Sequence, residues 1–299
     1  MLVQALVGSQ DAAQRLSSTL VVVAHPDDEI VGAGSRLPLL REARFVYVSD
    51  GAPREGSDAA RHGLSIDGYR QARRRELEAA LGLCGIAPDQ VIDLGVRDQE
   101  TSLHLAEIAR RLADLMQRWD VRAVLTQPYE GGHPDHDATA FGVHAAVALL
   151  RARGRGLRQA QPERIGVPPE RIGDQAARNG AIVPEIVEMA GYHAGPRGPE
   201  AAVFLPHAHA DAHAMTVSLD AAAQDRKRAL IACHATQRET LARFPLDAER
   251  FRPAPAYDFT QPPHTGPLHY EQHPWGMTGA RFRELAAQAL AELGLQGPL

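Results

Sequence analysis

Short apolar runs alternate along this chain with longer stretches whose apolar residues recur at helical spacing. Residues 19–24 (TLVVVA), 44–49 (RFVYVS), 90–94 (QVIDL), 121–126 (VRAVLT), 185–189 (EIVEM) and 215–219 (MTVSL) are short and rich in β-branched side chains, which predicts strands. Stretches 67–83, 103–118, 137–152 and 221–235 read as helices between them. In the second of these, Leu105, Ile108, Leu112 and Leu115 mark one helical face. Asp220 offers an N-cap carboxylate to the fourth, and a last helix is predicted near 279–293. Strands alternating with helices of this length predict βαβ units. The expected fold is therefore α/β: a Rossmann-like, three-layer αβα arrangement around a mostly parallel sheet covered on both faces.

Two stretches interrupt the pattern. Segment 154–181 is rich in Gly, Pro and Arg and repeats PERIG at 162–166 and 169–173, too little for a repeat architecture. It reads as a loop or lid insertion. A Pro-rich run at 253–267 precedes the last helix and marks a C-terminal extension from about 245. Neither justifies a separate unit, so residues 1–299 are expected to form one domain.

Bulk properties narrow the partners. A formal charge of −5 argues against nucleic-acid binding through phosphate contacts. No apolar run approaches the ~20 residues of a membrane span. The N-terminus lacks a basic region followed by an apolar core, which reads as no signal peptide and a cytoplasmic protein. Cys84 and Cys233 are the two cysteines, so neither a disulfide scaffold nor a cysteine-based zinc site is expected.

The chemistry concentrates at two strand ends. VVVAHPDDEIVGAG at 21–34 ends a buried-looking strand in His25, Asp27, Asp28 and Glu29, groups that are costly to desolvate without partners. QPYEGGHPDHDA at 127–138 follows strand 121–126 in the same way and supplies His133, Asp135, His136 and Asp137. In open parallel sheets, sites form beyond the carboxyl ends of strands. Two His and an Asp make a ligand set for a catalytic zinc, and a further Asp beside the ion can take a proton from water.

AHPDDE at 24–29 followed by HPDH at 133–136 resembles the LmbE/PIG-L family of zinc-dependent de-N-acetylases. Weaker similarities extend it through RRRELEAALGLCGI at 73–86, DLGVRDQ at 93–99 and KRALIACHATQ at 227–237. The resemblance implies His25, Asp28 and His136 as metal ligands, Asp27 as general base, and His133 as the acid or electrostatic partner, tuned by Asp135. It implies removal of acetyl from an N-acetylglucosamine-type sugar or its conjugate, by metal-activated water. The ion would be Zn²⁺, with Fe²⁺ or Co²⁺ also acceptable to such ligands.

Alternatives are an amidase acting on a thiol–sugar conjugate or another N-acyl substrate, or a catalytically silent metal-binding protein. The partner that the resemblance implies is a small-molecule N-acetylated sugar. Family members form several kinds of assembly, which leaves a homo-oligomer open. Asp50, Arg74, Arg97, Asp98 and His234 are candidate substrate contacts. Tyr129 joins them, because relatives place a mobile Tyr before the second motif where this chain has Gly131 and Gly132. His207, His209 and His213 read as a solvated loop near the pocket mouth, with a metal or substrate role as the alternative. Trp275 reads as packing the last helix, with stacking on a sugar as the alternative.

Overall fold

The computed structural model describes residues 2–8, 16–159 and 182–299. Its strands are β1 (Thr19–Val23), β2 (Arg44–Ser49), β3 (Val91–Val96), β4 (Ala123–Thr126), β5 (Glu185–Met189), β6 (Tyr192–Gly195), β7 (Gly198–Ala201), β8 (Met215–Ser218) and β9 (Ala248–Pro253). Seven of them form one sheet in the order β3-β2-β1-β4-β5-β9-β8, and β6 and β7 form a separate hairpin. Strands β1 to β5 pair in parallel. Within the sheet, β9 runs antiparallel to both of its neighbours, β5 and β8. The expected α/β fold with a mostly parallel sheet is what forms.

The helices used below are α1 (Asp28–Ala33), α2 (Ile66–Leu83), α3 (Leu105–Arg118), α4 (Pro134–Gln159), α5 (Ala221–Ala232) and α6 (Gly279–Leu293). Successive residues of β1 and β2 point to opposite faces of the sheet. Val21, Val23, Phe45 and Tyr47 enter one core cluster, while Leu20, Val22, Val46 and Val48 enter another with α3 and α4. Burial on both faces explains why these strands are continuous apolar runs rather than alternating ones. Among the described residues no helix is long and apolar enough to cross a membrane.

The strand order positions the site. β1 lies between β2 and β4, so the chain leaves β1 toward one side of the sheet and β4 sits on the other. Ligands of open α/β sheets bind at this switch point, outside the carboxyl ends of the strands. Both motifs emerge there side by side.

Three expectations need correction. Strand β9 lies inside the stretch expected as a C-terminal extension and fills an inner place in the sheet. Its sequence, AERFRP, reads as too charged for such a place. Buried partners resolve this: Glu249 meets Lys227 Nζ (2.9 Å) and Ser35 Oγ (2.7 Å), and Arg252 Nε meets Glu188 Oε2 (2.8 Å). Second, α4 starts at Pro134, inside the second motif rather than at 137. Proline suits the first helical position, where its missing N–H costs nothing. Third, residues 154–159 continue α4; the rest of the expected insertion, 160–181, lies outside the described residues.

Candidate metal centre and its cleft

Loop hydrogen bonds fix the two motifs against each other. Ala24 donates its N–H to Gln127 Oε1 (2.9 Å), which ties the loop after β1 to the loop after β4. Glu130 and Gly131 donate their N–H groups to Asp137 Oδ1 (3.2 and 3.0 Å), which folds the second loop onto the first turn of α4. Asp27 stands before α1 with φ at 143°, a region that non-glycine residues enter only at a cost. Arg73 of α2 holds it there. Its Nη2 donates to Asp27 Oδ2 (2.8 Å) and to Pro26 O (3.0 Å), and its Nη1 donates to Gly51 O (2.6 Å).

The polar side chains converge in a small volume. His25, His133 and His136 bring ring nitrogens within 4.8 Å of one another, and His25, Asp98 and Asp135 form a second such group. Asp28 Oδ1 lies 3.3 Å from His136 Nε2, and Oδ2 lies 3.3 Å from His25 Nδ1. On the far edge of the His25 ring, Nε2 faces Asp98 Oδ1 (3.2 Å) and Asp135 Oδ2 (3.3 Å). His133 differs, because its Nδ1 accepts the backbone N–H of Asp135 (3.1 Å). That bond leaves the proton of a neutral ring on Nε2, so His133 is a donor toward the cleft and a poor metal ligand.

The charges follow from these contacts. Burial alone would lower the His25 pKa, but Asp98, Asp135 and Asp28 raise it well above its ordinary value. Burial works against the Asp28 carboxylate, yet His136 and His25 hold it well below the usual range. Asp27 is pushed up to about 7, by burial first, with Arg73 pulling the other way and Asp28 adding to the rise. His133 lies well below its ordinary value because of burial and the neighbouring His25. The expected link from Asp135 to His133 runs through the Asp135 backbone N–H and not through its side chain. The Asp135 carboxylate instead accepts from Gln99 N–H (2.7 Å) and from the Thr101 hydroxyl, and it faces His25.

A cleft of about 340 Å³ opens over the cluster, with Asp27, Asp28, Asp98, His133 and His136 at its floor. Of the candidate substrate contacts, Asp98 lines it, but against His25. Asp50 sits behind, accepting from Asp98 N–H (3.2 Å) and Arg54 Nη2 (2.6 Å). Arg74 and Arg97 pair with Glu78 and Glu100 away from the cleft lining. Tyr129 is buried against Tyr257, Phe259 and Phe282, its hydroxyl donating to Gln261 O (2.9 Å). His234 is a core residue whose ring nitrogens have no partner among the described residues, and burial lowers its pKa to about 3. None of His207, His209 and His213 lines the cleft; His207 caps a short helix at 208–211.

Other residues take those places. Arg73 was hidden in a run of three arginines, and Tyr192 had no motif around it. Tyr192 stands on the hairpin with its ring 5.2 Å from that of His136. Gly132 makes this approach possible, since a Cβ there would lie 2.0 Å from the Tyr192 carbonyl oxygen. Trp275 lines the cleft, its ring 4.5 Å from His133 and 4.3 Å from His273, while also packing against the apolar cluster that includes Phe282 and Ala286 of α6.

A parallel α/β sheet with a buried His/Asp centre at its switch point defines the class. Within it, the family described as GlcNAc-PI de-N-acetylase, PIG-L, matches residues 20–147, the span that carries both motifs. A probable N-acetyl-α-D-glucosaminyl L-malate deacetylase 2 of Bacillus cereus is 28% identical over 137 residues, 44% of this chain and 61% of its own length. The chain thus spans less than two thirds of that curated relative. Among solved structures, the A40926 pseudoaglycone deacetylase superposes with a TM-score of 0.51 at 19% identity, over 79% of this chain and 96% of its own. The N,N'-diacetylchitobiose deacetylase of Pyrococcus horikoshii gives 0.51 at 20% identity, over 78% and 82%. At these identities the likeness is one of fold. Tyr192, His269, His273 and Trp275 all lie beyond the span that the family matches.

Proposed function

We propose that this chain is a metal-dependent hydrolase that removes acetyl from an N-acetylglucosamine-type amino sugar or its conjugate. One observation carries the reading: His25, Asp28 and His136 share a point at the switch of the sheet, with Asp27 beside them. The donor set suits a divalent ion such as Zn²⁺. His25 would offer Nδ1, His136 Nε2, and Asp28 its carboxylate. Asp98 and Asp135 keep the His25 proton on Nε2, the outer carboxylate arrangement that orients metal-bound imidazoles. When bound, the ion polarises the amide carbonyl and lowers the pKa of water.

The chain supplies the remaining steps. Asp27, poised near neutrality, accepts a proton from the water that adds to the amide carbon. Arg73 keeps that carboxylate aimed into the cleft. His133 presents its Nε2–H to the oxygen that gains negative charge. When the C–N bond breaks, Asp27 returns the proton to the departing nitrogen, leaving acetate and the free amine. The family match and the named deacetylase relative support this substrate class. Acetate release from N-acetylglucosamine derivatives, measured with and without a chelator, tests it. Activity that survives full removal of metal would end the reading.

A further inference from the structure

The cleft lining carries two imidazoles that the reaction above does not use. His269 Nε2 and His273 Nε2 face each other at 3.3 Å, and both residues line the cleft. As a hydrogen bond this pair shares a single proton at a long distance. The spacing fits another arrangement closely. Two imidazole nitrogens, each about 2.0–2.1 Å from a tetrahedral ion, are about 3.3–3.4 Å apart.

The segment that bears them is anchored on several sides. His269 donates its N–H to Gly131 O (2.9 Å), and Glu271 accepts from Leu268 N–H (2.9 Å) and Gly279 N–H (2.7 Å). The His269 ring stands edge-on to Tyr192 at 5.5 Å, and its Nδ1 is buried without a partner among the described residues. His273 stacks on Trp275 at 4.3 Å with an interplanar angle of 14°. The edge-on contact with Tyr192 and the stacking on Trp275 orient the two rings with their Nε2 atoms toward each other, the preorganisation that a ligand pair requires.

We infer that His269 and His273 form a second, auxiliary site for a borderline transition-metal ion such as Zn²⁺ or Ni²⁺. With two protein ligands, the ion keeps positions for water or for an oxygen or nitrogen donor of whatever fills the cleft. Its affinity is lower than that of the three-ligand centre.

Equilibrium dialysis of the chelator-stripped full chain against Zn²⁺ tests the stoichiometry. The wild type is expected to hold two ions, His273→Gln and His269→Gln one, and His25→Ala one. His273 is exposed, so its substitution leaves the fold intact. Equal stoichiometry in wild type and His273→Gln overturns the site. If His25→Ala holds as many ions as wild type, the main centre is misassigned, while the pair still stands on the His273→Gln result.

A second readout uses Trp275. In a Trp119→Phe background it is the remaining tryptophan. Ni²⁺ titrated onto protein carrying a single equivalent of Zn²⁺, which fills the tighter three-ligand centre first, should quench its emission saturably, and His273→Gln should abolish that quenching. Emission in the parent that does not respond to Ni²⁺ overturns the proposal.

Discussion

Replacing Arg73 with Met removes a charge that the candidate base depends on and keeps the side-chain stem. The ion pair to Asp27 is 2.8 Å long, and both side chains are under 10% exposed. Two unit charges ~4 Å apart at an effective dielectric of ~20 attract by about 4 kcal/mol, or about 3 pKa units. Removing one partner of a buried pair costs about 3–5 kcal/mol. The sign of the pH dependence is set by Asp27. Its folded pKa of about 7 is raised from 3.8, so its protonation favours the fold, and that contribution is lost as pH rises through 7. Without Arg73 the folded pKa rises further, and the ionised form becomes costlier still.

The stability deficit of Arg73→Met should therefore grow between pH 6 and pH 9. Urea unfolding of the chelator-treated protein at both pH values measures it. In the metal-loaded enzyme, the acid limb of kcat/KM should move upward by about one unit or more, because Asp27 must be ionised to take the proton. Arg73→Lys should recover part of both effects. A deficit below about 1 kcal/mol that is equal at the two pH values, with an unmoved acid limb, refutes the clamp.

Four further outcomes follow from other contacts. Asp27→Asn should keep its metal and lose about 10²–10⁴ in kcat, read from acetate release and metal analysis together. His136→Ala should lower metal content whereas His133→Ala should not, since the His133 Nδ1 lone pair is occupied by Asp135 N–H. Burial holds His144 neutral, its pKa lowered from 6.5 to about 4, so its contribution to stability falls away as pH drops from 6.5 toward 4. That 2.5-unit gap corresponds to ~3 kcal/mol, and His144→Gln should flatten this part of the unfolding free energy against pH. Gly132→Ala should displace the hairpin, because its Cβ would meet the Tyr192 carbonyl; a loss of about 1–3 kcal/mol in thermal or urea unfolding is expected.

Some of this protein is written in neighbouring residues. The strands of the parallel sheet are visible because burial on both faces demands unbroken apolar runs, as in Val21–Val23. His25 to Glu29 and His133 to Asp137 are legible because covalent adjacency to a strand end also places them in space. Charge balance across distant segments is not written locally. The β9 sequence looks unfit for a sheet interior until Lys227, Ser35, Glu188 and Glu130 arrive from elsewhere in the chain.

The same reason hides the supporting residues of the centre. Arg73 is one of three consecutive arginines, and only the packing of α2 decides which of them turns inward to Asp27. The tertiary structure also reassigned Tyr129 to the core and brought Tyr192 from a hairpin that no periodicity announced. Asp135 shows the limit most plainly. Sequence adjacency linked it to His133, and its backbone N–H does make that contact, yet the first turn of α4 carries its carboxylate to His25, 110 residues earlier in the chain.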